Sequence, residues 1–504
     1  MAFGAATLRP PASRPWRFWA VLAGVFVAAR VATWGYPFDS DHWWFFYVGR
    51  AWFQGGDLYV SAWDHKPPLV FVFNGLMALA LGDDLVLHRI WLTALTLVDI
   101  ALFALLLRML IRPLIDGLPS IWRPGTLEKV ALVLYVFFRN LSQFTASGND
   151  TEAYGLIFLL GMWLAYLDHQ RRGGVWRLAL AGLCFSCLFA LKENYLLLVV
   201  PVGVLVLLQH RRSVRRLVLE SAVFVAPLVL QVLGWIVYFW SRGTLRDAYI
   251  ACFTFSAKYA ASAWAGKVSN DPALFIISAL MLIPAMFFFV LFLRDLRVQR
   301  TNPAYQVVGM SFAGGIVLFS SVGTFYPYYQ LIFMPFIVLV IAYGMTRLRD
   351  AAAWLRRATA GLLIVTAVGS YGVSLKQLQN SLTGPDRAAA DLDHRVADYL
   401  RAHTSATDTI FDYRYSAAMY ILADRRSGSR FVSASVLLLD YRDHYGFGLD
   451  RIFMQDMDRS RAAYVVMETS PTSLYAANLP LMTYFRTHYR PETVIGPLTI
   501  LRRR

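Results

Sequence analysis

"YPFDSDHWWFFYVGRAWFQGGDLYVSAWDHKPPLVF", Tyr36 to Phe71, follows directly on an apolar run that begins near Phe18. Asp39, Asp41, Asp57, Asp64 and Lys66 are set here among Trp43, Trp44, Phe45, Phe46, Tyr47, Trp52 and Phe53. Amphipathic rings favour the headgroup level of a bilayer, so the stretch reads as an outer loop at a membrane surface. The carboxylates need a reason of their own. Only 16% of the 504 residues are charged and 57% are hydrophobic, a balance far from that of soluble proteins.

Segments able to cross a hydrocarbon core of about 30 Å recur from Phe18 to Tyr371, and about eleven spans are expected. The first run leads to Trp34 and Tyr36, not to a small-residue cleavage site, so a retained anchor is expected. The formal charge of +16 would suggest nucleic acid if the basic residues shared a soluble face. They gather instead in short loops: Arg171, Arg172 and Arg177; Arg211, Arg212, Arg215 and Arg216; Arg294, Arg297 and Arg300; Arg347, Arg349, Arg356 and Arg357. Each cluster follows an even-numbered span if the amino terminus, with Arg14 and Arg17, is cytoplasmic. Leu69–Leu81 is too short to cross comfortably, and counting it would put Arg108, Arg112 and Arg123 outside. It reads as a helix at the interface.

The remaining spans are expected near 85–110, 129–147, 153–168, 177–192, 195–209, 217–240, 272–293, 305–323, 328–345 and 356–374. An odd number puts the carboxyl terminus outside. The reading is thus a polytopic membrane domain over 1–375, with its first outer loop at about 36–84. An extracytoplasmic α/β domain follows over 376–504, where the polar helix "DLDHRVADYLRAHT" precedes the strands "DTIFDY", "AAYVVME" and "LTILRRR". Cys184, Cys187 and Cys252 imply neither a disulfide framework nor a zinc site.

The outer face also carries "SGNDTEAY" (Ser147–Tyr154), "LKENY" (Leu191–Tyr195), the long loop from Ser241 to Asp271, and "TFYPYYQ" (Thr324–Gln330). Asp39 can serve as a helix cap, which leaves Asp41 without that explanation. Asp150 and Glu152 fit either a helix N-terminus or a binding site. Lys66 precedes Pro67 and Pro68, whose fixed φ stiffens the chain beside a cation suited to a phosphate. Lys192 and Glu193 can pair with each other at a tight turn, or Lys192 can meet a phosphate. Arg30, Asp99 and Arg139 lie within spans and should find partners there, Asp99 with one of the two arginines. Tyr326, Tyr328 and Tyr329 suit an interfacial belt, or a groove for a sugar or a lipid tail.

In this order, the Asp-x-Asp loop, "GGDLYVSAWDHKPPLVF", "LHRIW", "NDTEAYGLIFLLGMWLAY", "FALKENYLLL" and "YPYYQLIFMPFIVLV" resemble the polytopic GT-C glycosyltransferases that use lipid-linked sugars. The nearest resemblance is to the bacterial dolichyl-phosphate-mannose-type protein mannosyltransferase superfamily, which includes aminoarabinose transferases acting on lipid A. The resemblance implies transfer of a sugar from a polyprenyl-phosphate donor to an envelope glycan, lipid or protein on the outer side of the inner membrane, with inversion. It implies an Asp base just after the first span, Asp41 in preference to Asp39. It puts Lys66, with Lys192 as an alternative, at the donor phosphate, and Asp150 and Glu152 at the acceptor or a cation. Asp39 and Asp41, with His42 or His65, offer ligands to a divalent ion, but Lys and Arg can manage a leaving phosphate, and no obligatory metal is expected. Two other classes remain: a transporter or flippase of lipid-linked glycan, and a non-catalytic protein that binds an envelope polymer. The polar groups collect at one face and no matched, interrupted halves are visible, which argues against the transporter.

Overall fold

Long apolar runs without water to satisfy their backbone have few choices but helix, and helices dominate. The computed structural model describes residues 15–35, 37–116, 123–265, 272–296, 299, 302–321, 326–348, 352–442, 444–468 and 478–504. Arg14, Tyr36, residues 266–271, Arg297, Arg300, Thr324, Phe325 and Arg349, invoked above for loops and topology, lie outside the described residues.

The helices run in order as α1 (Pro15–Gly35), α2 (Ser40–Phe53), α3 (Leu69–Leu81), α4 (Leu85–Ile115), α5 (Pro124–Arg139), α6 (Ser142–Thr145), α7 (Thr151–Arg172), α8 (Val175–Leu191), α9 (Leu196–His210) and α10 (Val214–Ser241). Then come α11 (Leu245–Tyr249), α12 (Ser256–Ala265), α13 (Pro272–Leu296), α14 (Pro303–Ser321), α15 (Met334–Arg347), α16 (Ala353–Thr383) and α17 (Pro385–His403). Each of the eleven expected spans overlaps a helix, but the one expected over 129–147 is corrected: α5 ends at Arg139 and the short α6 follows, and the one over 328–345 starts as a 3-10 segment (Pro327–Phe333) before α15. Among the described residues, eight helical stretches are long and apolar enough to cross a membrane: α1, α4, Glu193–His210 (a 3-10 turn running into α9), α10, α13, α14, Pro327–Arg347 (a 3-10 segment running into α15) and α16. Of the other three, α5 has 16 residues and α8 has 17. Helix α7 has 22 residues but carries Asp168, Arg171 and Arg172, and its buried face runs from Thr151 to Leu167. Enclosed by protein, it does not need an apolar surface on every side. The chain is a multi-pass membrane protein.

Helix α3 is a separate 13-residue helix, short as expected, and it packs against α2. A Cβ on Gly49 would lie only 2.6–2.9 Å from backbone atoms of Phe71, Asn74 and Gly75, so the α2–α3 crossing demands glycine there.

The carboxyl-terminal region carries a five-stranded sheet in the order β2-β1-β3-β5-β4, made of β1 (Thr409–Asp412), β2 (Arg426–Ser427), β3 (Tyr464–Glu468), β4 (Tyr489–Ile495) and β5 (Leu498–Arg503). Strands β1, β2 and β3 are mutually parallel, while β5 runs antiparallel to both β3 and β4. Helices α18 (Ala418–Leu422), α19 (Ala434–Arg442), α20 (Leu449–Ser460) and α21 (Leu479–His488) connect or flank the strands. β1, β3 and β5 fall in the three apolar runs read as strands. β2 and β4 do not announce themselves, because one has two residues and the other alternates exposed polar groups on an edge.

This region docks on the segment that holds α2 and α3. Ser427 N–H donates to the Tyr47 hydroxyl (2.7 Å), Trp63 N–H donates to the Arg430 carbonyl (2.8 Å), and the Tyr47 and Tyr420 rings lie 5.0 Å apart. The aromatics of α2 are therefore buried under protein on one side: Phe45, Phe46 and Val48 are fully enclosed. A headgroup belt does not account for them.

Candidate active site

Asp39 is the N-cap of α2, and its carboxylate accepts the His42 N–H at 3.0 Å. It also accepts the Ser147 hydroxyl at 2.9 Å, which ties the start of α2 to the turn before α7. Burial raises its pKa, while the donors from His42 and Ser147 pull it back. Asp41, two residues further, accepts no hydrogen bond among the described residues. Burial, then the Asp39 charge, pushes its carboxyl up to about 7, with Lys66 the chief opposing influence. Half-buried and facing a cavity, it is poised to exchange a proton near neutrality.

Lys66 is fixed at three points. Its N–H donates to Asp64 Oδ1 (2.9 Å), its carbonyl accepts from the Tyr59 hydroxyl (2.8 Å), and its ammonium donates to His65 Nε2 (2.8 Å). Pro67 and Pro68 then lead into α3. Burial, followed by the charges of Lys66 and Lys192, lowers the His65 pKa, so the ring stays neutral and can accept. Asp64, Tyr59 and His65 were not singled out as positioning groups from the sequence. An Asp two residues before the lysine is an Asx-turn signal that points to the first, whereas Tyr59 acts across a turn at φ 69° that no periodicity reveals.

Asp150 caps α7 by accepting the Ala153 N–H at 2.7 Å, and its other carboxylate oxygen is buried without a hydrogen-bond partner among the described residues. Burial, then Glu152, holds its pKa well above the usual carboxylate range. Glu152 accepts from the Lys192 ammonium at 2.7 Å and from the Thr151 hydroxyl at 2.9 Å. The expected pairing of Lys192 with Glu193 is thus corrected. In the tight turn after α8, Lys192 reaches across to α7, where the acid is buried and gains more from a cation. The same ammonium stands 4.4 Å from the centre of the Tyr329 ring.

These groups surround one cavity of about 590 Å³. Asp39, Asp41, Lys66, Asp150 and Lys192 line it, as do Tyr326, Tyr328 and Tyr329. The three tyrosines form a mutual cluster, with Tyr326 and Tyr328 stacked at 5.5 Å and Tyr328 and Tyr329 edge-on at 4.6 Å. Glu152 is not on the wall; it lies behind Lys192 and is 2% exposed. Trp44, Tyr415, Ser433 and Ser435 complete another wall, and the last three belong to the carboxyl-terminal region. The sequence reading missed them because nothing local connects them with residues some 370 positions earlier.

Asp39, Asp41 and His42 do not converge on a common point for an ion. His42 turns into the core, stacked on Phe38 at 3.7 Å with Nδ1 bonded to Asn149 at 3.0 Å. Among the described residues no group of three or more His, Cys, Asp or Glu is arranged to hold a metal. Asn149 also joins Asn74 (2.8 Å) and the Tyr154 hydroxyl (2.7 Å), so one buried amide locks α2, α3 and α7 around the site.

The charges within the spans serve packing. Asp99 takes Arg139, at 2.9 Å from Nε, and the Tyr135 hydroxyl at 2.9 Å. Arg139 in turn donates to Thr145 at 2.6 Å, bracing the acidic turn from below. Arg30 donates to Thr93 at 3.2 Å.

No family model and no curated protein matches the chain. Solved structures do. The crystal structure of ArnT from Cupriavidus metallidurans bound to undecaprenyl phosphate aligns with a TM-score of 0.52 and 13% identity, covering 97% of this chain and 98% of that one. The apo structure of the same ArnT gives 0.54 and 14% over the same coverage. At such low identity the likeness speaks to the fold alone. The chain therefore has a GT-C-type fold, a polytopic helical bundle carrying a small α/β region at its carboxyl terminus.

Proposed function

We propose that this protein is an inverting glycosyltransferase of the inner membrane, moving a sugar from a polyprenyl-phosphate donor to an acceptor hydroxyl on the extracytoplasmic face. The observation that carries the reading is the pairing, in one cavity, of a carboxylate that accepts no hydrogen bond among the described residues, Asp41, and a rigidly mounted cation, Lys66. The likeness in fold to a protein crystallised with undecaprenyl phosphate supports a lipid-linked donor.

In the proposed step, the acceptor oxygen attacks the anomeric carbon on the face opposite the phosphate. Its proton passes to Asp41. The bond from the anomeric carbon to the phosphate oxygen breaks, the polyprenyl phosphate leaves with the electron pair, and Lys66 meets the growing charge. Asp39 is occupied as a cap and acts by holding α2 in place. Lys192, neutralised by Glu152, offers a weaker second contact to the phosphate. Tyr326, Tyr328 and Tyr329 flank the route for the sugar or the lipid. Asp150, on the cavity wall, is assigned to the acceptor. Phosphate stabilisation in this scheme falls to lysine, with no metal required. The cavity lies beside the outer loop with the amino terminus in the cytoplasm and the carboxyl-terminal domain outside.

Release of polyprenyl phosphate from a lipid-linked sugar by the purified protein, dependent on an acceptor, tests the reading. A transporter or a polymer-binding protein would release none.

A further inference from the structure

The wall of the cavity contributed by the carboxyl-terminal region has a chemistry unlike that around Lys66. Tyr415 meets Trp44 edge-on, with ring centres 4.9 Å apart, and both rings line the cavity. Trp44 follows Asp41 by three positions on α2, so the two side chains share one helical face. Beside Tyr415 stand the Ser433 and Ser435 hydroxyls, 2.9 Å from each other and also on the cavity wall. Ser433 also donates to the Arg414 carbonyl at 3.3 Å, which holds its hydroxyl next to Tyr415. An aromatic pair flanked by hydroxyls suits a ring with one apolar face and several hydroxyl groups on its edge. The described cations that line the cavity are Lys66 and Lys192, and the latter is already bound to Glu152.

We infer that Trp44, Tyr415, Ser433 and Ser435 form the acceptor subsite, and that it takes a neutral sugar residue in preference to a phosphorylated or carboxylated one. The inference deepens the transferase reading and rests on it for the word acceptor. The sugar ring lies against the aromatic pair while its edge hydroxyls exchange hydrogen bonds with Ser433 and Ser435. One hydroxyl is thereby left within reach of Asp41. The carboxyl-terminal region, on this account, selects what is glycosylated, while the loop holding Lys66 handles the donor.

Tyr415 is the residue to change, because it is 53% exposed and its loss leaves the core intact, whereas Trp44 is buried. The full-length protein in detergent is applied to an array of neutral and anionic glycans, and bound glycans are then titrated in solution. The wild type should bind neutral glycans. Tyr415→Ala should bind them about tenfold more weakly, and Tyr415→Phe, which keeps the ring, within about twofold of wild type. Ser433→Ala with Ser435→Ala should weaken binding without abolishing it. Preference for anionic glycans, unaltered binding by Tyr415→Ala, or binding to nothing on the array would each overturn the inference. Polyprenyl-phosphate release is scored separately: neutral-glycan binding without release would sink the transferase reading and leave the sugar subsite standing. Release with an unaltered Tyr415→Ala would do the reverse.

Discussion

The Asp39 carboxylate and the Ser147 hydroxyl lie 2.9 Å apart, and this bond separates the roles of two aspartates only two positions from each other in the chain. Asp39 is consumed by the cap and by the cross-link to the turn before α7. Asp41 keeps its oxygens for the cavity.

Asp41→Asn should therefore abolish sugar transfer while the protein still inserts and folds, since no second carboxylate on α2 can take its place. Asp39→Ala should lower the apparent melting midpoint, with the loss of a cap worth about 1 kcal/mol, and leave measurable turnover. If the turnover results are exchanged between the two variants, the base is Asp39.

The pKa of Asp41 gives the reaction a predicted acid limb. A general base must be deprotonated, so kcat/KM should fall as pH drops through about 7, the value to which burial and Asp39 raise the carboxyl. The same shift affects stability in a fixed direction. A carboxyl whose pKa is raised on folding contributes stability below its unfolded value, near 3.8, and that contribution is lost as pH rises through about 7. Asp41→Asn should thus melt higher than wild type at pH 8, with the gap closing toward pH 4. A pH-independent gap would mean that the carboxyl is not perturbed by folding.

Lys66 is expected to act in the chemical step. Lys66→Ala should lower kcat about a hundredfold at saturating donor. Lys66→Arg should retain more activity, because it keeps the charge on a bulkier planar head. Near-normal turnover by both variants would remove Lys66 from the site.

Glu152 and Lys192 form a buried pair at 2.7 Å, with side chains 3% and 12% exposed. Removing one partner strands a charge, so Glu152→Gln should cost about 3–5 kcal/mol. Glu152→Gln combined with Lys192→Met should recover part of that loss. Full stability of Glu152→Gln with a raised acceptor KM would instead return Glu152 to acceptor binding.

Orientation follows from loop charge and can be measured without a substrate. A reporter active only outside the cytoplasm should work when fused after Arg504 and stay silent when fused near Arg215. The opposite pattern would place the cavity in the cytoplasm, where nucleotide sugars would be the natural donors.

The sequence alone located eight membrane helices, because hydrocarbon imposes a length and an apolar composition that a single span must satisfy locally, whereas α5, α7 and α8 fall short of that criterion and the run expected over 129–147 ends as α5 at Arg139. It likewise separated Leu69–Leu81 from the spans, and it marked β1, β3 and β5 by their short apolar runs. It also gathered Asp39, Asp41, Lys66, Asp150, Lys192 and the 326–329 tyrosines on one face, since span parity decides which loops share a side. What tertiary structure decided was the use of each group. Lys192 passes over the adjacent Glu193 to reach Glu152, forty positions away, and Asp39 rather than Asp41 is drawn into a bond with Ser147. Tyr415, Ser433 and Ser435 meet Trp44 only because the carboxyl-terminal region folds back onto α2. Hydrogen bonds and ring contacts of this kind depend on distances of a few ångströms between segments remote in the chain, and periodicity, propensity and loop charge carry no record of those distances.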